Sequence, residues 1–196
     1  MSENLFYDML SESHRDRRLV CIFRDPSDLR RFAVGYVVAV SPNDYSLQQI
    51  DPDGRADGLD IGSIDDIIEI RRESRYARQI LLLMENQEIE AEGLDNSGAW
   101  KGSPNPESCL EDVLRLALAD KMVVNILLTT GDDELRFYGL VREVTPTHIK
   151  IDVLTDDGEP DGTSAIRIDE IAGLQVNTRD ERRVALLHRH RMHLYL

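Results

Sequence analysis

Short apolar runs rich in β-branched residues alternate with turn-forming residues along most of the chain. The runs LVCIF at residues 19–23 and MVVNILL at 122–128 are each followed by longer alternating runs. Runs of this kind, bounded by Pro, Gly, Asn and Asp, are typical of β-strands. The pattern therefore predicts five strands in each half of the chain. A glycine in the second strand of each set, Gly35 or Gly139, predicts a bulge or a strong bend.

A segment with helical periodicity precedes each set of strands. Between residues 110 and 117 apolar side chains recur at i, i+3, i+4 and i+7, which places them on one face of a helix. Asn105 and Pro106 are the predicted cap and first-turn proline of this helix. Residues 6–10 show the same spacing in the first half, with Ser2 as the predicted cap. Each set of strands is therefore expected to carry an N-terminal docking helix.

A second helix is predicted to close each set, over residues 73–84 and 177–192. Thr178 and Glu181 have the spacing of a capping box, in which each side chain satisfies a free backbone amide of the other residue. For the stretch ILLLM in the first half, a sixth strand is the alternative.

The sequence resembles itself at an offset of 104 residues, because residues 35–58 align with residues 139–162 without a gap. The matched pairs include Val20 with Val124, Ile22 with Ile126, Val37 with Val141, Pro42 with Pro146, Ile64 with Ile168 and Arg78 with Arg182. We interpret this as a tandem duplication, with one copy over residues 1–84, a linker over 85–105 and a second copy over 106–196. We call the two copies the first and second repeat.

The acidic stretch DPDGRADG, residues 51–58, is open to two interpretations. Its carboxylates could bind a divalent cation, or it could form a tight turn. The second repeat keeps the two glycines, as Gly158 and Gly162, but replaces Asp51 with Thr155. Because the backbone requirement persists while the set of carboxylates does not, a hairpin turn is predicted.

The order of elements resembles the Sm-like family: a helix, a strand, a bent strand with a central glycine, a third strand, and two short strands joined by one turn. The residues that carry the resemblance are Gly35, Val37, Val40 and Leu47 to Asp51, with Gly139, Val141, Val144 and Ile151 in the second repeat. The resemblance implies a mainly β fold with flanking helices, built from two tandem Sm-like five-stranded barrels of bent sheet. Each barrel would have an N-terminal and a C-terminal helix.

The resemblance also has implications for partners. Sm-like proteins commonly pair their fourth and fifth strands edge to edge, so a homo-oligomer or another protein partner is expected. Many bind RNA through the loops between strands two and three and between strands four and five. Similarity places single-stranded RNA on five residues of those loops, namely Asn43, Tyr45, His148, Lys150 and Arg167. The family's Arg-Gly pair between strands four and five is absent here.

Composition limits the classes of partner. The formal net charge of −14 excludes a protein that is strongly basic overall, because an acidic surface repels phosphate backbones. A local basic patch remains compatible with that charge.

No apolar run is long enough to cross a bilayer, and the start MSENLFYDML lacks the features of a secretion signal, so we expect a cytoplasmic protein. Cys21 and Cys109 lie in apolar runs and are expected to be buried thiols.

Catalytic and metal-binding motifs are not found in the sequence. It has no G-x-S-x-G and no phosphate-binding glycine loop followed by a helix. In the run HRHRMH, His190 and His193 share a helical face that His188 does not, and the neighbouring arginines repel a cation. We therefore expect no enzyme, no cofactor and no metal. Two functions remain: a non-enzymatic protein-interaction or assembly module, and, as the alternative, an RNA-binding regulator.

Overall fold

The computed structural model describes residues 4–86, 103, 106–130 and 133–194. This part of the chain is mainly β, with ten strands and four α-helices. The first repeat forms α1 (Leu5–Arg15), β1 (Leu19–Phe23), β2 (Ala33–Val40), β3 (Asp44–Ile50), β4 (Ala56–Ser63), β5 (Glu69–Arg72) and α2 (Arg75–Asn86). The second repeat forms α3 (Cys109–Asp120), β6 (Val123–Thr130), β7 (Asp133–Val144), β8 (His148–Leu154), β9 (Pro160–Arg167), a 3₁₀ turn (Ile168–Glu170), β10 (Ile171–Val176) and α4 (Arg179–Leu194).

The strands form one open antiparallel sheet in the order β5-β1-β2-β3-β4-β10-β6-β7-β8-β9. Each repeat therefore orders its strands with the fifth beside the first, followed by the second, third and fourth. The predicted closure into two barrels is not confirmed, because the sheet is open. β4 pairs with β10, the fifth strand of the second repeat, and not with β5, the fifth strand of its own repeat.

The chain divides into two compact units. The first consists of Met1–Gly58 and Ser63–Cys109, and the second of Leu59–Gly62 and Leu110–Leu196. The segment Leu59–Gly62 of β4 thus belongs to the second unit, where it pairs with β10. Most of the predicted linker, residues 87–102 and 104–105, lies outside the described residues.

In the first unit, β1 is buried along its whole length. A strand that is covered on both faces needs apolar side chains at every position, which explains why LVCIF does not alternate with polar residues. One core lies beside α1 and the other beside α2. The first core contains Leu10, Val20, Ile22 and Tyr45, and the second contains Cys21, Phe23, Ala77 and Ile80.

In the second unit, α4 packs on the sheet through Val184, which clusters with Val123 of β6 and Leu154 of β8. On α3, the predicted apolar face is confirmed, since Val113, Leu114 and Ala117 are fully buried. One half of the predicted capping box is present at the start of α4, where the backbone N–H of Thr178 donates to Glu181 Oε2 over 2.7 Å. The Thr178 hydroxyl accepts from the N–H of Asp180 over 3.4 Å, and not from that of Glu181.

The backbone repeats at the same offset as the sequence. Among the described residues, the eight with positive φ form four pairs that are 104 positions apart: Arg17 with Lys121, Gly54 with Gly158, Gly58 with Gly162, and Glu73 with Asn177. Within each pair the two φ values agree within 13° or less, as in Arg17 at 51° and Lys121 at 52°. The two repeats therefore turn their chains at the same places and in the same way.

Both central strand glycines are required by close packing. A Cβ on Gly35 would overlap the backbone carbonyl of Gln48, and one on Gly139 would lie 2.9 Å from the carbonyl oxygen of Asp152. The bulge predicted at these glycines lies two residues further along the strand. The register shifts after Val37 in β2 and after Val141 in β7, while Gly35 itself is paired regularly.

Two predicted helix caps are wrong. The cap of α1 is Asn4 and not Ser2, because the Asn4 side chain accepts hydrogen bonds from the N–H groups of Phe6 and Tyr7. Similarly, α3 begins at Cys109 and not after Pro106, while Asn105 lies outside the described residues. Local sequence favoured Asn-Pro as a helix start, but the start of α3 is fixed by a side chain from β3.

Among the described residues, no helix combines the length and the apolar character that spanning a bilayer requires.

Candidate functional site at the edge strands

Three of the five predicted RNA-binding residues lie together on the second unit. His148 is directly opposite Arg167 across the β8–β9 ladder, and Lys150 is two positions further along β8. Side chains two apart on a strand share a face, so these three exposed side chains form one surface. We call His148, Lys150 and Arg167 the β8–β9 face.

Acidic residues neutralise much of this face. Arg167 forms ion pairs with Asp169 and Glu170, and the hydrogen bond to Asp169 raises the pKa of Arg167. On β8, the strand of His148 and Lys150, Asp152 accepts a 2.6 Å hydrogen bond from Arg142, which lowers the pKa of Asp152. The face therefore has alternating charges, unlike the continuous positive potential that a phosphate backbone favours.

The other two predicted residues are on the first unit. Asn43 is exposed in the turn before β3, where its carbonyl accepts a 2.9 Å hydrogen bond from the N–H of Ile64. Tyr45 is 0% exposed within the core beside α1, so its ring is inaccessible to a stacked base. The alternation of β3 places Tyr45 inward and explains why this prediction is wrong.

The histidines of α4 do not form a metal site in the described residues. The Nδ1 atom of His188 lies 3.0 Å from the carbonyl oxygen of Gly158, and His190 is exposed. The side chain of His193 lies outside the described residues. In the described part of the chain, no group of three or more His, Cys, Asp or Glu side chains could hold a metal ion.

The edges of the sheet present unused hydrogen-bonding capacity. Within the described residues, β9 pairs only with β8, and β5 pairs only with β1. Most of β9 is exposed, including its small residues Thr163 and Ala165. A strand with one neighbour presents a row of backbone N–H and C=O groups to any strand that approaches.

The direction of those groups follows from one hydrogen bond. The N–H of Ile168 donates to the carbonyl of Thr147 over 3.0 Å, and β9 is paired with β8 in the same register. Because hydrogen-bonded and non-hydrogen-bonded pairs alternate in an antiparallel ladder, the N–H groups of Ile166 and Ser164 face β8. Those of Ala165 and Thr163 face the free edge.

The counterparts of these edges are paired with each other inside the chain. At an offset of 104, β9 corresponds to β4 and β5 corresponds to β10. In the second unit, β4 and β10 pair antiparallel, with Gly62 opposite Gly173, Ile61 opposite Leu174, Asp60 opposite Gln175 and Leu59 opposite Val176. Ile61, Leu174 and Val176 are each 1% exposed, so this pair is part of the core.

A second set of counterparts concerns the start of each N-terminal helix. In the first unit, Asp44 accepts a 2.8 Å hydrogen bond from the N–H of Cys109 and a 3.0 Å hydrogen bond from Ser108 Oγ. Cys109 is 0% exposed there. In the other repeat the equivalent of Cys109 is Leu5, which is 70% exposed, and the equivalent of Asp44 is the exposed His148.

The residues predicted as a site lie in two loops, whereas the resemblance also indicated the fourth and fifth strands as pairing edges, without showing which of them stay unpaired. The offset of 104 residues relates β9 to β4 and β5 to β10, and β4 and β10 pair with each other. Which edges stay unpaired follows from the pairing of β4 with β10, which the sequence does not specify.

Comparison of the chain with protein-family models, with curated proteins and with solved structures found no match.

Proposed function

We propose that the chain is a non-enzymatic assembly module, built from two duplicated Sm-like repeats, that associates with further copies of itself through the free edges of β5 and β9. The observation that carries this proposal is the pairing of Leu59–Gly62 with β10, beside edges of the same kind that have no neighbour in the described residues. Within the chain, the fourth strand of the first repeat pairs with the fifth strand of the second. Within the described residues, the fifth strand of the first repeat and the fourth strand of the second each keep one edge without a neighbour.

The strand order and the recurring backbone support the Sm-like assignment of each repeat. Both repeats place the fifth strand beside the first and shift register after the same position of the second strand. The arrangement of such a fold leaves its fourth and fifth strands at the edges, where a neighbour can add to them by main-chain hydrogen bonds. Association of this kind needs no catalytic group.

Light scattering after size-exclusion chromatography tests the proposal. From low micromolar to the highest soluble concentration, the mass should rise above the 22.3 kDa of one chain. Ala165→Pro removes an N–H that faces the free edge, so this variant should lose association while its circular dichroism is retained. Ala165→Val changes the same side chain but keeps the N–H and should still associate.

A wild-type mass of 22.3 kDa at every concentration would overturn the proposal. Equal association of Ala165→Pro and the wild type would also overturn it, because the edge of β9 would then not be the contact.

RNA binding is the second candidate, and the juxtaposition of His148, Lys150 and Arg167 is the observation in its favour. The acidic neighbours of Arg167 and the net charge of −14 weigh against it. Binding of a labelled single-stranded oligouridylate across a salt series tests it. Saturable binding that weakens with salt and is lost in the triple alanine variant of the β8–β9 face would favour this candidate, and no binding at low salt would exclude it.

A further inference from the structure

The helix α4 carries a cluster of exposed cations around one exposed leucine. At 3.6 residues per turn, six exposed side chains lie within about 60° of one another's centre, Leu186, around the helix axis. These residues are Arg179, Arg182, Arg183, Leu186, Arg189 and His190. We call them the outer face of α4. The face has four arginines and no carboxylate, although the formal net charge of the chain is −14.

The opposite side of α4 holds the helix in place. Val184 is fully buried, and the Nδ1 atom of His188 lies 3.0 Å from the carbonyl oxygen of Gly158. Nearby, Arg191 forms an ion pair with Glu159. These contacts fix which side of the helix is turned to solvent, and they leave Leu186 61% exposed.

The charges of the outer face are not all balanced within the fold. Among the described residues, Arg183 and Arg189 form no ion pair, whereas Arg167 of β9 is paired with two carboxylates. Moreover, Arg179 precedes Arg182 and Arg183 by three and four positions, and like charges at these spacings destabilise a helix. Stability of the helix does not explain this arrangement, whereas binding of an anionic partner does.

The first repeat provides an internal comparison. Leu82 of α2 is equivalent to the leucine of the outer face and is 60% exposed. The first two arginines of the face also recur in α2, but Gln79 and Glu85 stand where α4 has Arg183 and Arg189. An exposed leucine is therefore common to both helices, and the concentration of positive charge around it is specific to α4.

We infer that the outer face of α4 binds an acidic protein segment that carries an apolar side chain between its carboxylates. Arginine binds a carboxylate through two parallel hydrogen bonds, and arginine is enriched among the residues that dominate protein interfaces. Leu186 lies between the cations and supplies the apolar contact. The surface includes no residue of β5 or β9, so this inference goes beyond the self-association proposed above.

A protein segment fits the outer face better than a nucleic acid or a bilayer. The face has no Phe, Tyr or Trp on which a base could stack, and a phosphate backbone makes no use of the leucine. A helix that binds a bilayer buries a broad apolar stripe, whereas this face has a single apolar side chain. The net charge of −14 also repels long polyanions and anionic membranes more strongly than a short acidic segment.

Fluorescence anisotropy with a synthetic acidic peptide tests the inference. The probe is a fluorescein-labelled peptide of three Glu-Glu-Leu-Glu repeats, titrated with the full chain at low salt. Saturable binding is expected, and it should weaken as the salt concentration rises because salt screens the charge pairs. The same peptide with serine in place of leucine should bind about fivefold more weakly.

Exchange of residues between the two helices locates the site. The double variant Arg183→Gln with Arg189→Glu gives α4 the residues of α2 and should weaken peptide binding by about tenfold or more. Leu186→Ser should weaken it by about fivefold. Leu82→Ser, at an equally exposed position, is the matched control and should leave binding unchanged. Because these side chains are exposed, the melting temperatures should stay close to that of the wild type.

Absence of saturable binding at low salt would overturn the inference, and so would equal weakening by Leu82→Ser and Leu186→Ser. Tighter binding of a labelled oligouridylate than of the peptide, lost in the double variant, would assign the face to a nucleic acid instead. Sedimentation with phosphatidylserine vesicles that Leu186→Ser abolishes would assign it to a membrane.

The strand-edge variant separates this inference from the proposed self-association. Ala165→Pro changes the edge of β9 and leaves the outer face of α4 intact, so it should bind the peptide as the wild type does. A chain that never associates with itself but binds the peptide would contradict the proposed function alone. A chain that associates but does not bind the peptide would contradict this inference alone.

Discussion

Asp44 Oδ1 accepts a hydrogen bond of 2.8 Å from the backbone N–H of Cys109, a residue 65 positions further along the chain. The other oxygen of the carboxylate accepts from Ser108 Oγ over 3.0 Å. A carboxylate at a helix start satisfies free amide groups and interacts favourably with the helix dipole. Asp44 therefore acts as the cap of α3, although it belongs to β3.

Replacing this cap should destabilise the protein. We expect Asp44→Ala to lower the free energy of unfolding by about 1–2 kcal/mol, as for other N-cap removals, and Asp44→Asn to lower it less because an acceptor remains. Urea denaturation followed by circular dichroism measures both. His148→Ala, at the equivalent position of the second repeat, is the control and should change the stability by less than about 0.5 kcal/mol. Equal effects of Asp44→Ala and His148→Ala would show that Asp44 is not the cap.

The two central strand glycines should differ in their sensitivity to alanine. A methyl group on Gly35 would overlap the Gln48 carbonyl, which is backbone and cannot rotate away, so Gly35→Ala should cost about 3 kcal/mol or more. Gly139→Ala meets Asp152 O at 2.9 Å and Ile151 Cδ1 at 3.0 Å, and should cost about 1–3 kcal/mol.

Gly173→Ala is the matched control for both glycines. Its nearest neighbour would be Ile61 O at 3.4 Å, which is an ordinary contact, so a loss below about 1 kcal/mol is expected. Thermal unfolding ranks the three variants. A loss for Gly35→Ala no larger than for Gly173→Ala would contradict the packing of β2 against β3.

Glu181 should make stability depend on pH. Its carboxyl is 1% exposed, Oε1 has no hydrogen-bond partner in the described structure, and burial raises its pKa above the ordinary value. A raised pKa in the folded state means that the folded chain favours the protonated form. This contribution to stability is therefore complete below the ordinary carboxyl pKa and is lost as the pH rises through the raised value.

The variant Glu181→Gln isolates that dependence, since its amide oxygen can still accept from the N–H of Thr178. The stability of the wild type relative to this variant should fall as the pH rises above the ordinary carboxyl pKa, as measured by urea denaturation at each pH. Glu107→Gln changes an exposed side chain and should follow the wild type throughout. Parallel pH curves for the wild type and Glu181→Gln would contradict the burial effect.

Much of the fold could be predicted from local pattern. The run LVCIF predicts a strand, and Thr178 with Glu181 predicts the start of α4, because each signal depends on residues close in sequence. The register shift could not be placed as well. It follows Val37 and not Gly35, since the glycine is used for close approach to Gln48 while the bulge forms where the strand bends.

The remaining features depend on residues far apart in the chain. Local sequence could not show that Asp44 caps a helix 65 residues later, or that β4 pairs with β10. The same limit applied to the candidate site. The resemblance named His148, Lys150 and Tyr45 alike as loop residues. His148 and Lys150 are exposed, whereas Tyr45 lies in β3 and points into the core.

The turn that joins β3 and β4 should tolerate the residue of the other repeat. Asp51 Oδ1 accepts a 2.7 Å hydrogen bond from the N–H of Arg55, and Thr155 Oγ1 accepts a 3.1 Å hydrogen bond from the N–H of Glu159 at the equivalent place. One acceptor oxygen is therefore sufficient to hold the backbone in this turn. Asp51→Thr should cost less than about 0.5 kcal/mol, while Asp51→Ala should cost about 1 kcal/mol.

The same pair of variants tests whether the carboxylates bind a cation. If the turn needs only an acceptor, the melting temperature of the wild type should be equal in calcium and in chelator, and Asp51→Thr should behave identically in both. Stabilisation of the wild type by calcium that disappears in Asp51→Thr would assign a metal to this hairpin. It would also contradict the interpretation in which Thr155 replaces Asp51 without loss, because a single hydroxyl cannot substitute for a carboxylate ligand of calcium.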